Sequence, residues 1–206
     1  MPRSKSNNKV ITFFKSAISA FSAIRLIPHM FLLLFSSKKE YLWKDLDRYA
    51  ENYASNIPTT TVGRLVLFVD MMTFAPEYRN VFYLRHRLPG YFLGLLCPPM
   101  HSLRIDAKIC GPGLFIHHGF GTHISVEKIG SNCSIGQLVT IGFVNNSTDR
   151  PTIGDNVMIG GGARILGAVT VGDNAKVGAN SVVLASVPPN ATVLGIPARI
   201  IWKFSK

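Results

Sequence analysis

An aliphatic residue recurs at every sixth position through the second half of the chain. Nine residues share this phase: Ile129, Ile135, Ile141, Ile153, Ile159, Ile165, Val171, Val177 and Val183. Glycine directly follows most of them, and four positions later comes a small or β-branched residue: Cys133, Val139, Val157, Ala163, Val169, Ala175, Ser181 and Val187. Two inward positions in every six residues fit a triangular coil whose stacked side chains form a column shielded from water. The pattern therefore predicts a β-solenoid.

Asparagine marks the tight corners between the predicted strands. Asn156, Asn174 and Asn180 occupy such corners, and asparagine tolerates the positive φ that a sharp corner requires. Twelve residues rather than six separate Ile141 from Ile153, so the phase survives a polar interruption. We expect this interruption to project from the solenoid as a loop, and functional residues often lie on such loops.

The first half of the chain has a different pattern. Spacing compatible with helices runs through residues 41–53 and 63–74. Prolines punctuate the ends of these stretches, at positions 76, 89, 98 and 99. We therefore predict a mostly helical N-terminal region over residues 1–100 and a β-solenoid domain over residues 101–206.

An apolar stretch covers residues 17–35. Arg25, Pro28 and His29 interrupt it, and it falls short of the roughly 20 apolar residues that a membrane-spanning helix needs. Two interpretations stay open. The stretch is either an amphipathic helix lying on anionic lipid, giving peripheral membrane contact, or a helix packed against the rest of the protein, which apolar helical stripes more often are.

The formal net charge is +11, but the basic residues are spread along the chain and no nucleic-acid-binding motif accompanies them. Nucleic acid is therefore not expected as a partner. Cys97, Cys110 and Cys133 form neither a disulfide framework nor a metal-ligand spacing. We interpret them as small hydrophobic residues of a cytoplasmic protein, with association at the inner membrane face left open, and we expect no metal.

Three motifs of the second half are more specific than a hexapeptide repeat alone. They read GLFIHHGFG at residues 113–121, VMIGGGARILG at residues 157–167 and GIPAR at residues 195–199. With the repeats, they make residues 103–201 resemble the serine acetyltransferase branch of the hexapeptide-repeat acyltransferases. The resemblance implies a left-handed parallel β-helix preceded by helices, an acetyl-CoA-dependent O-acetyltransferase activity and a homotrimer. Pairing of trimers into hexamers is left open.

The resemblance also implies a histidine general base. Neutral imidazole has the basicity needed near pH 7 to take a proton from an acceptor hydroxyl. His118 is the first choice because Gly121 follows it by three residues, as glycine follows the family's catalytic histidine. An ungapped count from Lys108 favours His117 instead. The family attacks the thioester directly, so no cysteine or serine nucleophile is expected.

Other site residues are carried over in the same way. Backbone N–H groups of Gly142 and Phe143 are the candidate donors to the oxyanion of the tetrahedral intermediate. A slot for the pantetheine arm of CoA is expected beside Gly161, Ala163 and Ala179. The phosphates of CoA are expected to meet Lys176 and Arg199.

The acceptor is less clear, because the sequence departs from the family where serine binds. The family's Arg-His-Pro motif corresponds to Asp149, Arg150 and Pro151, so only Arg150 remains to hold substrate. His117, also a candidate substrate contact, replaces the aspartate that precedes the catalytic histidine. We therefore expect a sugar hydroxyl of a surface polysaccharide or its precursor as acceptor. The alternatives are L-serine and, from another class, a non-catalytic trimeric scaffold.

Overall fold

The computed structural model describes residues 5–53, 57–144 and 148–201. Six helices come first: α1 (Lys5–Arg25), α2 (Ile27–Phe35), α3 (Lys39–Tyr53), α4 (Thr61–Phe74), α5 (Pro76–Arg85) and α6 (Arg87–Leu93). Thirteen short strands follow: β1 (Leu103–Cys110), β2 (Phe115–Ile116), β3 (Thr122–Ile129), β4 (Ser134–Ile135), β5 (Thr140–Gly142), β6 (Thr152–Ile153), β7 (Met158–Ile159), β8 (Arg164–Leu166), β9 (Thr170–Val171), β10 (Lys176–Val177), β11 (Val182–Val183), β12 (Thr192–Gly195) and β13 (Ala198–Ile201).

The predicted helices are confirmed, and local sequence explains where two of them begin. The hydroxyl of Thr60 accepts a hydrogen bond from the N–H of Gly63 at 3.2 Å and so caps α4. Proline stands at the start of α5, where its missing N–H costs no helical hydrogen bond. The apolar stretch forms α1 and α2, which are separated at the buried Leu26.

No single helix in the described ranges is long and apolar enough to cross a membrane. The α1 segment Phe14–Arg25 and α2 reach the length and apolar composition of a span only when they are taken together, and the two helices are bent by 72° relative to each other.

The strands stack as coils of a parallel β-helix. One face consists of β2, β4, β7, β10 and β12, with Ile116 in register with Ile135, and Ile135 with Ile159. The second face consists of the start of β3 with β5, β8 and β11, and the third contains the end of β3 with β6 and β9. All nine aliphatic residues of the repeat and the eight small or β-branched residues four positions later are buried, which confirms the predicted column.

The corners also follow the sequence. Asn156, Asn174 and Asn180 adopt φ values of 56°, 58° and 56°, as predicted. His118 and Leu138 share this left-handed conformation, with φ values of 53° and 57°; histidine is among the residue types enriched there, and leucine is not.

The helices pack against the first coil through a buried ion pair. Arg85 of α5 donates to both carboxylate oxygens of Asp45 in α3, at 2.8 and 3.0 Å, and also to the carbonyls of Cys110 and Gly111. Asp45 in turn accepts the N–H of Gly113 at 2.7 Å. This network fixes the chain two residues before β2 begins.

The three cysteines are free thiols, as expected. Cys97 and Cys133 are buried, and Cys110 is partly buried. Burial raises the pKa of all three, that of Cys133 to about 12, so these thiols stay protonated near neutral pH.

Candidate active site

His118 lies in an insertion at a corner of the first coil. Ile116 is in register with Ile135, and Ile124 with Ile141. Ile124 nevertheless comes eight residues after Ile116, whereas Ile141 comes only six residues after Ile135. The first coil therefore contains two additional residues at this corner. His117 stays on the regular path, because its N–H bonds to the carbonyl of Ile135 at 2.7 Å. The additional residues are thus His118 and Gly119.

The two histidine side chains are both exposed at this corner. Their ring centroids are 4.8 Å apart, and the His117 ring meets the ring of Phe115 edge-on at 5.3 Å. His118 is followed by Gly119, where a Cβ atom would lie within 3.2 Å of Leu103, Ile116 and Glu77 side-chain atoms. The lack of a side chain at Gly119 allows the insertion to close tightly against the protein and turns His118 outward.

Both histidines line a groove of about 480 Å³. It runs along the face formed by β2, β4 and β7 and continues onto α3. The other lining residues are Arg48, Asn52, Phe115, Ser134, Ile135, Gly136, Gln137, Met158, Ile159, Gly160 and Gly161. Arg48 also donates to the hydroxyl of Ser134 at 3.1 Å, so the helical region and the β-helix share one wall of the groove.

Glycines form the corner of the groove below the histidines. A Cβ at Gly136 would lie 2.6 Å from the backbone nitrogen of Gly161, and one at Gly160 would lie 2.6 Å from that of Ala179. No side chain fits at either position, because the obstacle is backbone rather than a movable side chain. The corner therefore offers a smooth backbone wall that a long, narrow ligand can follow.

The residues expected to contact CoA lie at different places on the β-helix. Gly161 lines the groove, and Ala179 is exposed at the same corner one coil further along. Lys176 is exposed on the same face, paired with Met158. Arg199 is exposed on β13 opposite Leu194, at the end of that face. The side chain of Ala163 is fully buried in the column because it occupies an inward position of the repeat, so it can offer a slot its backbone but not its side chain.

Gly142 and Phe143 lie away from His118 within one chain. Gly142 ends β5, and the β3 strand beside it begins after the His118 corner, so the two sites are at opposite ends of the second face. Gly142 is buried and Phe143 is exposed. The structure therefore does not bring the candidate oxyanion donors and the candidate base together within a single protomer.

Arg150 is held at the base of the interrupting loop. Its guanidinium donates to the Asp106 carboxylate of β1 at 2.8 Å. Asp106 thus faces Arg150, and it is also 3.7 Å from Arg87. The predicted projection of the loop agrees with the exposure of Phe143 and Val144 at its start; residues 145–147 lie outside the described residues.

Sequence reasoning missed the helical contribution to the groove. Arg48 and Asn52 lie on α3, more than 60 residues before the histidines, and no local motif connects them to the site. Glu77 was also missed: it is only 6 % exposed, and its Cγ is close to Gly119 in the insertion. The eight-residue step from Ile116 to Ile124 was the one available signal, because it breaks the six-residue phase at the site.

Within residues 5–53, 57–144 and 148–201, no three His, Cys, Asp or Glu side chains cluster as a metal site would require.

Known proteins with similar sequences are hexapeptide-repeat transferases and serine acetyltransferases. Residues 150–185 match the bacterial transferase hexapeptide family (six repeats). A serine acetyltransferase of Synechococcus elongatus is 44% identical over 96 residues, covering 45% of this chain and 39% of the relative. One from Staphylococcus epidermidis is 42% identical over 131 residues, covering 60% of this chain and 58% of the relative. The chain thus spans about two to three fifths of the length of these curated relatives.

Solved structures extend the similarity into the helical region. Serine acetyltransferase of Neisseria gonorrhoeae in complex with serine is 32% identical, with a TM-score of 0.57, covering 82% of this chain and 71% of that one. The same enzyme without serine gives 31% identity and a TM-score of 0.59, covering 86% and 70%. The chain belongs to the serine acetyltransferase-like branch of the hexapeptide-repeat acyltransferases, and its β-helix is the left-handed one of that family.

Proposed function

We propose that the protein transfers the acetyl group of acetyl-CoA to an acceptor hydroxyl, with L-serine as the acceptor that the comparisons favour. The observation that carries the proposal is the two-residue insertion that presents His118 at the head of a groove walled by glycine backbone. An exposed imidazole beside a groove walled by glycine backbone suits a reaction between a small hydroxyl and the end of a long thioester.

The chemistry assigned to His118 is general base and then general acid catalysis. Its imidazole takes the hydroxyl proton as the acceptor oxygen forms a bond to the thioester carbonyl carbon. The tetrahedral intermediate collapses by breaking the C–S bond, and the imidazolium returns the proton to the leaving CoA thiolate. The products are the O-acetyl ester and free CoA, and the histidine ends neutral.

The groove supports a binding path for CoA. Its backbone wall at Gly136, Gly160 and Gly161 can pack against the pantetheine arm. Lys176 and Arg199, exposed further along the same face, are the candidate partners of the phosphates. In this proposal the thioester lies towards the histidines and the nucleotide towards β13.

A homotrimer would complete the site. Because Gly142 and Phe143 lie at the other end of the face from His118, their N–H groups can stabilise the oxyanion only when a second copy presents them. We therefore retain the homotrimer as part of the proposal, with hexamers as a further possibility of assembly.

A sugar hydroxyl is the second candidate acceptor. Pro151 follows Arg150 where the family has histidine, and His117 replaces the family's aspartate. The first change removes a group expected to hold free serine, and the second removes one expected to orient the imidazole. The similarity to serine acetyltransferases favours serine, whereas these two substitutions favour a different acceptor. The first part of the proposal, acetyl transfer to a hydroxyl, is common to both.

Thiol release from acetyl-CoA tests the proposal. Purified protein is assayed with L-serine and with a panel of polysaccharide acceptors, as wild type, His118→Ala, His117→Ala and His101→Ala. Loss of a general base should lower kcat by roughly 10²–10⁴-fold in His118→Ala. His101 is an exposed histidine outside the groove, so His101→Ala should retain wild-type turnover.

The outcomes separate the alternatives. Release driven by serine supports the main proposal, and release driven only by sugars selects the second acceptor. Wild-type turnover in His118→Ala, with loss in His117→Ala, would move the base to His117. If no acceptor drives release and calorimetry detects no CoA binding, acetyl transfer is wrong and the non-catalytic scaffold is the better explanation.

A further inference from the structure

The helical region exposes an apolar face that the acetyl-transfer site does not use. Ile27, Phe31 and Phe35 project from α2, and Phe92 from α6 beside them. Phe31, Phe35 and Phe92 are 62%, 71% and 65% exposed, which is unusual for neighbouring phenylalanines. We call these four residues the α2–α6 face.

The side chains of this face belong to one continuous surface. A groove of about 510 Å³ runs between α2 and α6, and the seven lining residues whose side chains the structure describes are all apolar. Ile27, Phe31 and Phe92 are among them, and the rings of Phe31 and Phe35 lie 4.7 Å apart. The exposed rings are therefore a cluster rather than scattered surface hydrophobes.

The charge around the face is mainly positive. The first 39 residues contain no Asp or Glu, and neither do residues 78–105, which include α6. Arg25 precedes α2, and Lys38 and Lys39 follow it, all three exposed; the next residue, Glu40, is an exposed acid. An apolar cluster bordered mainly by basic residues is complementary to a surface with an apolar interior and anionic head groups.

The shape of α1 and α2 favours lying on such a surface. Neither helix alone is long and apolar enough to cross a bilayer, and the two are bent by 72°. A nine-residue helix with exposed phenylalanines can insert its side chains at the boundary between head groups and acyl chains.

We propose that the α2–α6 face binds the surface of an anionic lipid bilayer. Phe31, Phe35 and Phe92 enter the boundary region while Arg25, Lys38 and Lys39 contact the anionic head groups. The proposal does not depend on the acceptor or on the catalytic activity of the protein, and the groove at His118 is formed by other elements.

Vesicle co-sedimentation of the full chain tests this. The vesicles consist of phosphatidylcholine alone or of phosphatidylcholine mixed with phosphatidylglycerol. We expect wild type to bind the mixed vesicles, binding to weaken as salt is raised, and Phe31→Ser/Phe92→Ser to bind at least about tenfold more weakly. Leu184→Ser is the matched control, since Leu184 is equally exposed but lies on the β-helix after β11.

Failure to bind the mixed vesicles would overturn the proposal. It would also be overturned by equal binding of wild type and the double variant, because another region would then hold the lipid. If wild type ignores vesicles but self-associates, and the double variant dissociates in analytical ultracentrifugation, the face joins two copies of this chain instead. Thiol release without vesicles should be unchanged in the double variant, which shows that folding and the separate active site are intact.

Discussion

The guanidinium of Arg85 in α5 and the carboxylate of Asp45 in α3 form a two-bond ion pair, and both groups also hydrogen-bond to the backbone of the first coil of the β-helix. Their side chains are 4% and 1% exposed. The same carboxylate accepts the N–H groups of Gly113 and Leu114, at 2.7 and 3.2 Å. Helices that are distant in sequence thus determine where β2 starts, and β2 ends directly before the two histidines.

Asp45→Asn should destabilise the fold strongly. The substitution leaves Arg85 buried without a counter-charge, and breaking a buried pair in this way costs about 3–5 kcal/mol. Urea denaturation measures the loss. Glu51→Gln is the control on the same helix, since its exposed pair with Arg48 is worth about 0.5 kcal/mol or less. Similar small losses in both variants would show that the buried pair and its hydrogen bonds to the first coil contribute little to stability.

Gly160→Ala should also destabilise the protein, by about 1–3 kcal/mol, because its Cβ would lie 2.6 Å from the backbone of Ala179 and overpack the corner. Gly142→Ala is the matched control, as its Cβ would meet nothing closer than 3.9 Å. Thermal unfolding of the two variants compares them directly. Equal melting temperatures would mean that the coils can separate at this corner without cost.

The β-helix was predictable because its repeat is local. Each coil specifies its own inward positions, and Ile129 to Val183 keep one phase that only a stacked column explains. The positive φ values at the predicted corners also followed from the sequence, because each of those corners carries its own asparagine. Ala163 shows what the local repeat adds to a role carried by resemblance: its inward phase predicts a buried side chain, which leaves only its backbone for a slot.

The site was less predictable because it is assembled from distant segments. His118 and Gly161 could be named from motifs, but Arg48 and Asn52 reach the groove only through the packing of α3 on β2. No periodicity in α3 indicates which of its polar residues meets the β-helix. The left-handed φ of His118 likewise follows from the two-residue insertion, which becomes visible once the registers of Ile116 and Ile124 are known.

Lowering the pH should destabilise the folded protein, because the buried His29 of the helical region takes up a proton only when the chain unfolds. Burial lowers the pKa of His29 to about 4, so the folded protein holds the ring neutral, beside the hydroxyl of Tyr83 at 2.9 Å. The unfolded chain binds the proton below its ordinary pKa of 6.5. The contribution to stability is therefore complete above pH 6.5 and is lost as the pH falls towards 4.

Lowering the pH from 7 to 5 should cost about 1–2 kcal/mol through this one group. Denaturation of wild type and His29→Gln at both pH values isolates the effect, since the other histidines are common to both. The variant should lose less stability between the two pH values. An identical loss would place the acid sensitivity elsewhere, and exposed His101→Gln should behave as wild type.

Glu77→Gln should weaken binding of the acceptor with only a small change in stability. Glu77 lies in the first turn of α5, beside the His118 insertion, and within the described ranges no hydrogen bond or ion pair joins its carboxylate to another residue. A negative charge in the first turn of a helix is worth about 0.3–1 kcal/mol, so the free energy of unfolding should fall by no more than that amount.

A carboxylate without a protein partner next to the proposed base is placed to bind a polar group of the acceptor, so KM for the acceptor should increase and KM for acetyl-CoA should not. Glu40→Gln, in the exposed first turn of α3, is the control for loss of a helix N-terminal charge and should change neither KM. A loss of stability well above about 1 kcal/mol in Glu77→Gln, with an unchanged KM for the acceptor, would instead mean that the carboxylate supports the fold, and its position beside Gly119 would then have a structural explanation.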